Sequence, residues 1–232
     1  GDAGLEKTFD VALHIGTLIG AIAYFRADLW RLARAGLTDR RSPDGRTAWL
    51  LVLSALPAAV TGALLSDVIE EHTGQIWLIA VMLIVFGFVL MWADRLGGHR
   101  TIGEFGMRDA LAMGVGQALA LQPGVSRSGV TITVGRGAGF DRDAAARLSF
   151  LMSLPIIAGA VMFKGVDVLG EGGVPSGFAA PFLWGILASG LTGWLAVWAT
   201  LRLVRSHSFA PFVVYRVAAA VAVLGLLASS VR

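Results

Sequence analysis

Long apolar stretches dominate the hydrophobic pattern of this 232-residue chain. A helix that crosses the hydrocarbon core of a bilayer needs about 20 mostly apolar residues. The stretches with few or no charges that are predicted to cross are residues 11–25, 47–66, 76–93, 145–163, 180–201 and 209–231. The pattern therefore predicts an all-α, polytopic membrane protein with about six transmembrane helices.

A further apolar stretch, at about residues 108–140, is interrupted near its centre. The interrupting residues are Gln117, Gln122, Pro123, Gly124, Ser126, Arg127, Ser128 and Gly129. Pro123 lacks a backbone N–H, and Gly124 readily adopts positive φ. Irregular backbone at membrane depth is tolerated only where protein or a water-filled cavity satisfies its polar groups. We therefore predict two half-helices around a loop.

The charges between the stretches predict the side on which each connection lies. The Arg-rich segments are residues 26–46, 95–108, 136–147 and 202–205. Short Arg-rich loops stay in the cytoplasm, whereas residues 67–71 are acidic and carry neither Lys nor Arg. The Arg-rich connections all lie on one side of the membrane only if the segment 108–140 leaves on the side from which it enters. A full crossing would place two Arg-rich connections on opposite sides. We predict a re-entrant hairpin within one membrane domain of residues 1–232.

The overall composition agrees with this assignment. The chain is 56% hydrophobic and 15% charged, with a mean hydropathy of +0.72, and these values depart from those of ordinary soluble domains. The net charge is +3, and the basic residues lie in short connections between apolar stretches rather than on one face of a soluble domain. We therefore predict no nucleic-acid partner. The absence of cysteine excludes disulfides and thiolate chemistry.

Two apolar spans share a Leu-Pro pattern, at residues 55–63 and 153–160. Such a pattern is typical of an internal inverted repeat. Proline and small residues are also common in membrane helices that belong to no repeat, and taken alone the pattern favours that simpler explanation.

Arg127 is the candidate for anion chemistry in the interrupted stretch. A guanidinium near the bilayer centre costs about 2.5 to 3.5 kcal/mol on insertion scales, so we expect an anion to offset it. Ser126, Ser128 and Thr131 place hydroxyl groups beside this planar cation, which matches phosphate oxygens in a bidentate fashion. Together the four residues predict an oxyanion cradle.

Ser128 or Gly129 is predicted to cap the second half-helix, which would run from Val130 to Ala138. The unpaired N–H groups and the positive end of its dipole would then face the same anion. Backbone and side chains are thus expected to converge on one ligand.

Three polar side chains of the membrane region have two interpretations each. Arg127 could instead pair with Asp109 or Asp141. Gln117 either reaches the loop or forms an ordinary interhelical hydrogen bond. Arg216, inside the last span, either belongs to the site or extends to the cytoplasmic interface.

Asp10 and His14 share a face of the first span because they are four residues apart. Their chemistry suits a proton relay or a metal pair. We favour a position near the membrane surface, where the two side chains satisfy each other.

The segment from Gly116 to Thr131, Gly-Gln-Ala-Leu-Ala-Leu-Gln-Pro-Gly-Val-Ser-Arg-Ser-Gly-Val-Thr, resembles the second signature of the undecaprenyl-diphosphate phosphatase family, the bacitracin-resistance membrane phosphatases. Other segments that resemble this family, in family order, are residues 8–16, the Leu-Pro span at 56, 150–159 and 208–216. The resemblance covers essentially the whole chain. It implies an inverted-repeat protein of the bacterial plasma membrane that hydrolyses undecaprenyl diphosphate, which recycles the lipid carrier of cell-wall synthesis.

The resemblance also implies roles for individual residues. Arg127 would clamp the diphosphate, with Ser126 and Ser128 beside it as catalytic residues. The residues implied in substrate binding are Thr131, Gln117, Gly124, Gly129 and Arg216. The resemblance implies a divalent cation, Mg²⁺ or Ca²⁺, without identifying its ligands in this chain.

One family signature is absent from these residues. It carries paired glutamates, Pro-Val-Ser-Ser-Thr-Gly and a histidine, and it should precede the first span, whereas the sequence opens on Gly1 rather than Met. Phosphoryl transfer needs in-line geometry, charge neutralisation and an activated nucleophile, and the second signature supplies mainly neutralisation. We expect that upstream sequence is missing and that the chain as given binds substrate without turnover.

The alternative function is a transporter or flippase for a polyprenyl phosphate or another anion, since carriers also use broken helices.

Overall fold

A computed structural model of the chain describes residues 2–73, 75–170 and 177–230. The α-helices are α1 (Asp2–Thr38), α2 (Pro43–Leu53), α3 (Leu56–Thr73), α4 (Ile76–Arg95), α5 (Met107–Leu119), α6 (Arg127–Gly137), α7 (Arg142–Gly170), α8 (Ala179–Val204) and α9 (Ala210–Ser230). Within the described ranges, six helical segments are long and apolar enough to cross a membrane. The prediction of an all-α, multi-pass membrane protein is confirmed.

The first span extends further than predicted. Residues 26–38, expected to belong to an Arg-rich loop, continue α1 to its end, because arginine is a good helix former and its charge is tolerated beyond the membrane. The connection is a short turn in which Asp39 accepts two backbone hydrogen bonds. Ser42 then caps α2, its Oγ accepting from the N–H of Gly45 at 3.1 Å.

The second span is broken between α2 and α3. Ser54 is fully buried at this break, and its hydroxyl donates to the carbonyl oxygen of Leu51 at 2.7 Å. Pro57, in the first turn of α3, has no N–H for the helical ladder. The break leaves the backbone carbonyl of Ser54 available to a partner outside its own helix.

The four Arg-rich segments lie on one side of the molecule, here called the basic face (residues 26–46, 95–108, 136–147 and 202–205). The ion pairs that join them are Arg147–Asp28 (3.3 Å), Arg142–Asp94 (2.6 Å) and Arg205–Asp143 (2.9 Å). This arrangement agrees with the alternation predicted from the loop charges.

Helices α5 and α6 form the predicted hairpin, because its two ends lie side by side on the basic face. The backbone N–H of Arg100 donates to Gly139 at 3.0 Å, and the N–H of Asp141 donates to the carbonyl oxygen of Arg100 at 2.9 Å. The Arg100 guanidinium also donates to the carbonyl oxygen of Ala138 at 2.8 Å. A segment with this path leaves on the side from which it enters.

Asp94 at the end of α4 fixes the returning end of the hairpin. Its buried carboxylate accepts from Arg142 at 2.6 and 3.0 Å and from the N–H of Phe209 at 3.2 Å. Arg136 of α6 lies 3.6 Å from the same carboxylate and donates to the carbonyl oxygens of Asp94 and Phe140. Arg136, predicted to lie in a basic loop, is instead only 3% exposed.

Candidate active site

The loop between α5 and α6 has an unusual backbone. Gly124 has a φ of +91°, and a Cβ there would collide with the carbonyl oxygen of Ile79 in α4. Ser126 has a φ of +69° and is the one non-glycine residue with positive φ in the described ranges. Such a conformation costs about 1–3 kcal/mol and is concentrated at functional sites.

The cap of α6 differs from the prediction. Ser126, rather than Ser128 or Gly129, is the N-cap, and its Oγ accepts from the N–H of Gly129 at 3.3 Å. The helix therefore begins at Arg127 rather than at Val130. The first N–H groups of α6 lack intrahelical acceptors. They belong to the segment from Gly116 to Thr131 that carries the family resemblance, here called the motif.

Arg127 lines a cavity of about 730 Å³ between α3, α5 and α7, here called the Arg127 cavity. Its walls come from residues 55–63 and 155–163, and Gln117 contributes from α5. These wall segments largely coincide with the two Leu-Pro segments of the sequence. The two similar segments thus lie around one cavity.

The ion pair considered as an alternative for Arg127 is absent. Asp109 is bound by Arg100, with the shortest contact at 2.6 Å, and this hydrogen bond raises the pKa of Arg100. Asp141 accepts from the backbone N–H of Ala144 at 2.7 Å. Among the described residues, Arg127 has neither a carboxylate partner nor a side-chain hydrogen bond. A half-buried guanidinium without a partner favours binding of an anion.

Of the two interpretations of Gln117, the described residues show the interhelical hydrogen bond and no hydrogen bond from its side chain to the loop. Its Nε2 donates to the carbonyl oxygen of Ser54 at 3.1 Å, which is an interhelical hydrogen bond to the α2–α3 break. Its Oε1 is buried without a hydrogen-bond donor in the described part of the chain. Because Gln117 also lines the Arg127 cavity, this oxygen can accept a hydrogen bond from a ligand or a water there.

The serines of the motif line a second cavity, of about 230 Å³, here called the Ser126 cavity. Ser126, Ser128 and Gly129 form one wall, Arg216 contributes from α9, and the remaining walls are mostly apolar. Successive residues of a helix point about 100° apart, so the first turn of α6 separates Arg127 from its serine neighbours. The predicted cradle is thus divided between two cavities.

Arg216 binds the loop rather than extending to the interface. Its Nη2 donates to the carbonyl oxygens of Gly124 at 2.9 Å and Val125 at 3.1 Å. A Cβ at Gly129 would lie 2.6 Å from Nη1 of Arg216, so this glycine allows the guanidinium to approach α6. Arg216 therefore helps to hold the positive-φ backbone of the loop.

Thr131 borders neither cavity. Its side chain is fully buried, and its hydroxyl lies 2.6 Å from Ser149 Oγ and 2.9 Å from the carbonyl oxygen of Arg127. The structure thus places Thr131 behind the site, where it joins α6 to α7, and not in the oxyanion cradle predicted from the sequence.

Asp10 and His14 do not satisfy each other through their side chains. The Nδ1 of His14 lies 2.8 Å from the backbone oxygen of Asp10, and both side chains are exposed. No group of three or more His, Cys, Asp or Glu residues that could hold a metal occurs within the described ranges. The metal-pair interpretation gains no support from this geometry.

The donors around the two cavities do not fit the divalent cation that the resemblance implies. Mg²⁺ and Ca²⁺ are held mainly by carboxylate oxygens. The described residues that line the Arg127 and Ser126 cavities include no Asp, Glu or His. No step of the reaction is therefore assigned to a metal.

Comparison with known proteins identifies the family. A family model described as "Bacitracin resistance protein BacA" matches residues 2–222. The chain belongs to this family. A BacA relative of Nocardioides sp., named undecaprenyl-diphosphatase, is 42% identical over 242 residues, which cover 100% of this chain and 85% of the relative. The relative of the same name in Trichlorobacter lovleyi is 44% identical over 232 residues (97% and 84%). That of Geobacter sulfurreducens is 46% identical over 226 residues (95% and 84%).

Three contributions to the site of this BacA chain were not predicted from the sequence. The carbonyl of Ser54 orients Gln117, and Asp94 with Arg136 fixes the end of α6. Two features of the sequence could have indicated these residues: a proline shortly after Ser54, and the carboxylate of Asp94 at the end of an otherwise uncharged apolar stretch. Neither signal identifies the distant partner.

Proposed function

We propose that this chain hydrolyses undecaprenyl diphosphate to undecaprenyl phosphate and inorganic phosphate in the bacterial plasma membrane. The names of its BacA relatives support this reaction. The observation that carries the proposal is the Arg127 guanidinium, which has no partner among the described residues and lines an otherwise mostly apolar cavity between membrane helices.

The Arg127 cavity suits a lipid diphosphate in size and polarity. Its volume of about 730 Å³ lies within the range of small-molecule sites. The planar guanidinium offers bidentate hydrogen bonds to phosphate oxygens. The small and apolar side chains of residues 55–63 and 155–163 suit the adjoining isoprenoid chain.

The reaction cleaves one phosphorus–oxygen bond. A water oxygen attacks the terminal phosphorus, the bond to the bridging oxygen breaks, and its electron pair stays with the departing lipid monophosphate. Charge on the equatorial oxygens must be neutralised in the transition state, and Arg127 would supply the neutralising cation. Gln117 Oε1, which has no donor in the described part of the chain, would accept a hydrogen bond from the attacking water.

Ser126 and Ser128 lie at the start of α6 and line the Ser126 cavity. The Oγ of Ser126 already accepts a backbone hydrogen bond, so its O–H can donate to a ligand in the Ser126 cavity, whereas the diphosphate anion is expected at Arg127, on the other side of α6. The positive end of the α6 dipole adds to the attraction for this anion. Arg216 acts as a positioning residue, because it contacts the loop carbonyls.

The proposal is tested by phosphate release from undecaprenyl diphosphate in detergent. The chain is compared with a fusion that carries the N-terminal segment of the Nocardioides relative ahead of Gly1. The hydrolase proposal requires phosphate release by at least one of the two proteins. No release by either protein, together with movement of intact diphosphate across a liposome membrane, would favour a carrier instead.

A further inference from the structure

A groove on the basic face is unrelated to the two cavities of the site. It has a volume of about 460 Å³ and lies where the α1–α2 turn meets α2 and the start of α5. Its lining residues, which define what is here called the Trp49 groove, are Arg40, Arg46, Trp49, Leu50, Leu53 and Met107. Four apolar side chains and two cations thus share one concave surface.

The two arginines of the Trp49 groove have no carboxylate partner among the described residues. The Arg40 guanidinium stacks over the Trp49 ring at 4.9 Å, and the Arg46 side chain forms no ion pair or hydrogen bond within the described ranges. Asp44, the acidic residue near them on α2, is instead paired with Arg31 at 3.3 Å. Asp39, beside Arg40, instead accepts two backbone hydrogen bonds, so the two cations of the groove remain available to an anionic ligand.

The apolar floor of the groove is accessible and well placed for contact with lipid. Trp49 is 46% exposed and Met107 is 54% exposed. The indole N–H of Trp49 donates to the carbonyl oxygen of Gly36 at 3.0 Å, which fixes the ring. Tryptophan is enriched at the interface between bilayer and water, and this residue lies at the start of a membrane-spanning segment.

We infer that the Trp49 groove binds an anionic phospholipid. The headgroup phosphate would lie between Arg40 and Arg46, and an acyl chain would follow Leu50, Leu53 and Met107. A free anion would use only the two charges and leave the apolar floor exposed, whereas a lipid uses both. The headgroup of a zwitterionic lipid also carries a cation, which the two arginines would repel. This binding is independent of the proposed hydrolysis, because Arg127 and Gln117 line a different cavity.

The test compares binding of phosphatidylglycerol and phosphatidylcholine to the detergent-solubilised chain by native mass spectrometry. The variant Arg40→Gln/Arg46→Gln is matched by Arg34→Gln/Arg41→Gln, which removes the same charge from exposed positions of the basic face outside the groove. We expect the first pair to lower phosphatidylglycerol binding by about tenfold, and the control pair to lower it less than about twofold. An equal loss in both pairs, or equal binding of the two lipids by the unaltered chain, would overturn the inference.

A second variant tests the groove without changing its charge. Leu53→Trp fills the apolar floor and keeps both arginines, so it should weaken phosphatidylglycerol binding while size-exclusion elution stays unchanged. Inorganic phosphate alone should not compete with the lipid. Undiminished lipid binding by Leu53→Trp, or competition by phosphate, would show that the groove is not the lipid site.

Discussion

Replacement of Arg127 by alanine is expected to lower phosphate release by about a thousandfold or more, since cationic groups that neutralise a transferring phosphoryl group contribute on that scale. The protein should fold at least as well as before, because the side chain has no ion pair or hydrogen bond to lose among the described residues. The measurement is kcat/KM for undecaprenyl diphosphate in an active form of the protein, with the thermal midpoint recorded for each variant.

Two further variants separate the geometry of Arg127 from its charge. Arg127→Lys keeps the cation but loses the bidentate fork, so its activity should fall between those of the unaltered protein and Arg127→Ala. Arg202→Ala removes the same charge from an exposed position, where the guanidinium carbon lies 5.6 Å from the centre of the Trp198 ring. This control variant should leave kcat/KM unchanged. Full activity in Arg127→Ala would disprove the site assignment.

Replacement of Asp94 by alanine is expected to lower the free energy of unfolding by about 3–5 kcal/mol, because removal of one partner leaves a buried charge uncompensated. The stranded cation is Arg136, which is 3% exposed, and Arg142 and the N–H of Phe209 lose an acceptor as well. The measurement is reversible unfolding in mixed micelles of dodecyl maltoside and sodium dodecyl sulfate.

A matched control for this prediction exists on the same face. Asp143→Ala breaks the more exposed pairs with Arg205 and Arg147 and should change the unfolding free energy by about 1 kcal/mol or less. The double variant Asp94→Leu/Arg136→Met removes both buried charges and should recover part of the loss. Equal effects of Asp94→Ala and Asp143→Ala would contradict the role assigned to Asp94.

The membrane architecture was predictable because it depends on properties that are local in sequence. Apolar length predicted the spans, and loop charge predicted the hairpin between residues 108 and 140. Composition did not predict the end of α1, because arginines beyond the bilayer continue a helix as readily as they form a loop. The motif likewise indicated Arg127 as a cation within a broken helix.

The internal geometry of the site depends on contacts between distant residues, which the sequence does not reveal. Several residues of the motif are acceptable N-caps, and the choice of Ser126 accompanies a positive φ in a loop contacted by Arg216, about 90 residues away. The division of the motif between two cavities depends on the rotation of α6 about its axis. Thr131 is withdrawn from the site because Ser149, on another helix, binds its hydroxyl.

The central claim, that the lipid diphosphate binds in the Arg127 cavity, is tested most directly by filling each cavity in turn. Gly159 lines the Arg127 cavity, and a Cβ added there meets no atom within 4 Å, so Gly159→Leu fills space without a backbone clash. Thr200→Leu provides the matched change in the Ser126 cavity. The measurement is the dissociation constant for farnesyl diphosphate, determined by isothermal titration calorimetry on the detergent-solubilised chain. We predict that Gly159→Leu weakens binding by about tenfold or more and that Thr200→Leu leaves it within about twofold; weakening by Thr200→Leu alone would contradict the claim and place the substrate in the Ser126 cavity.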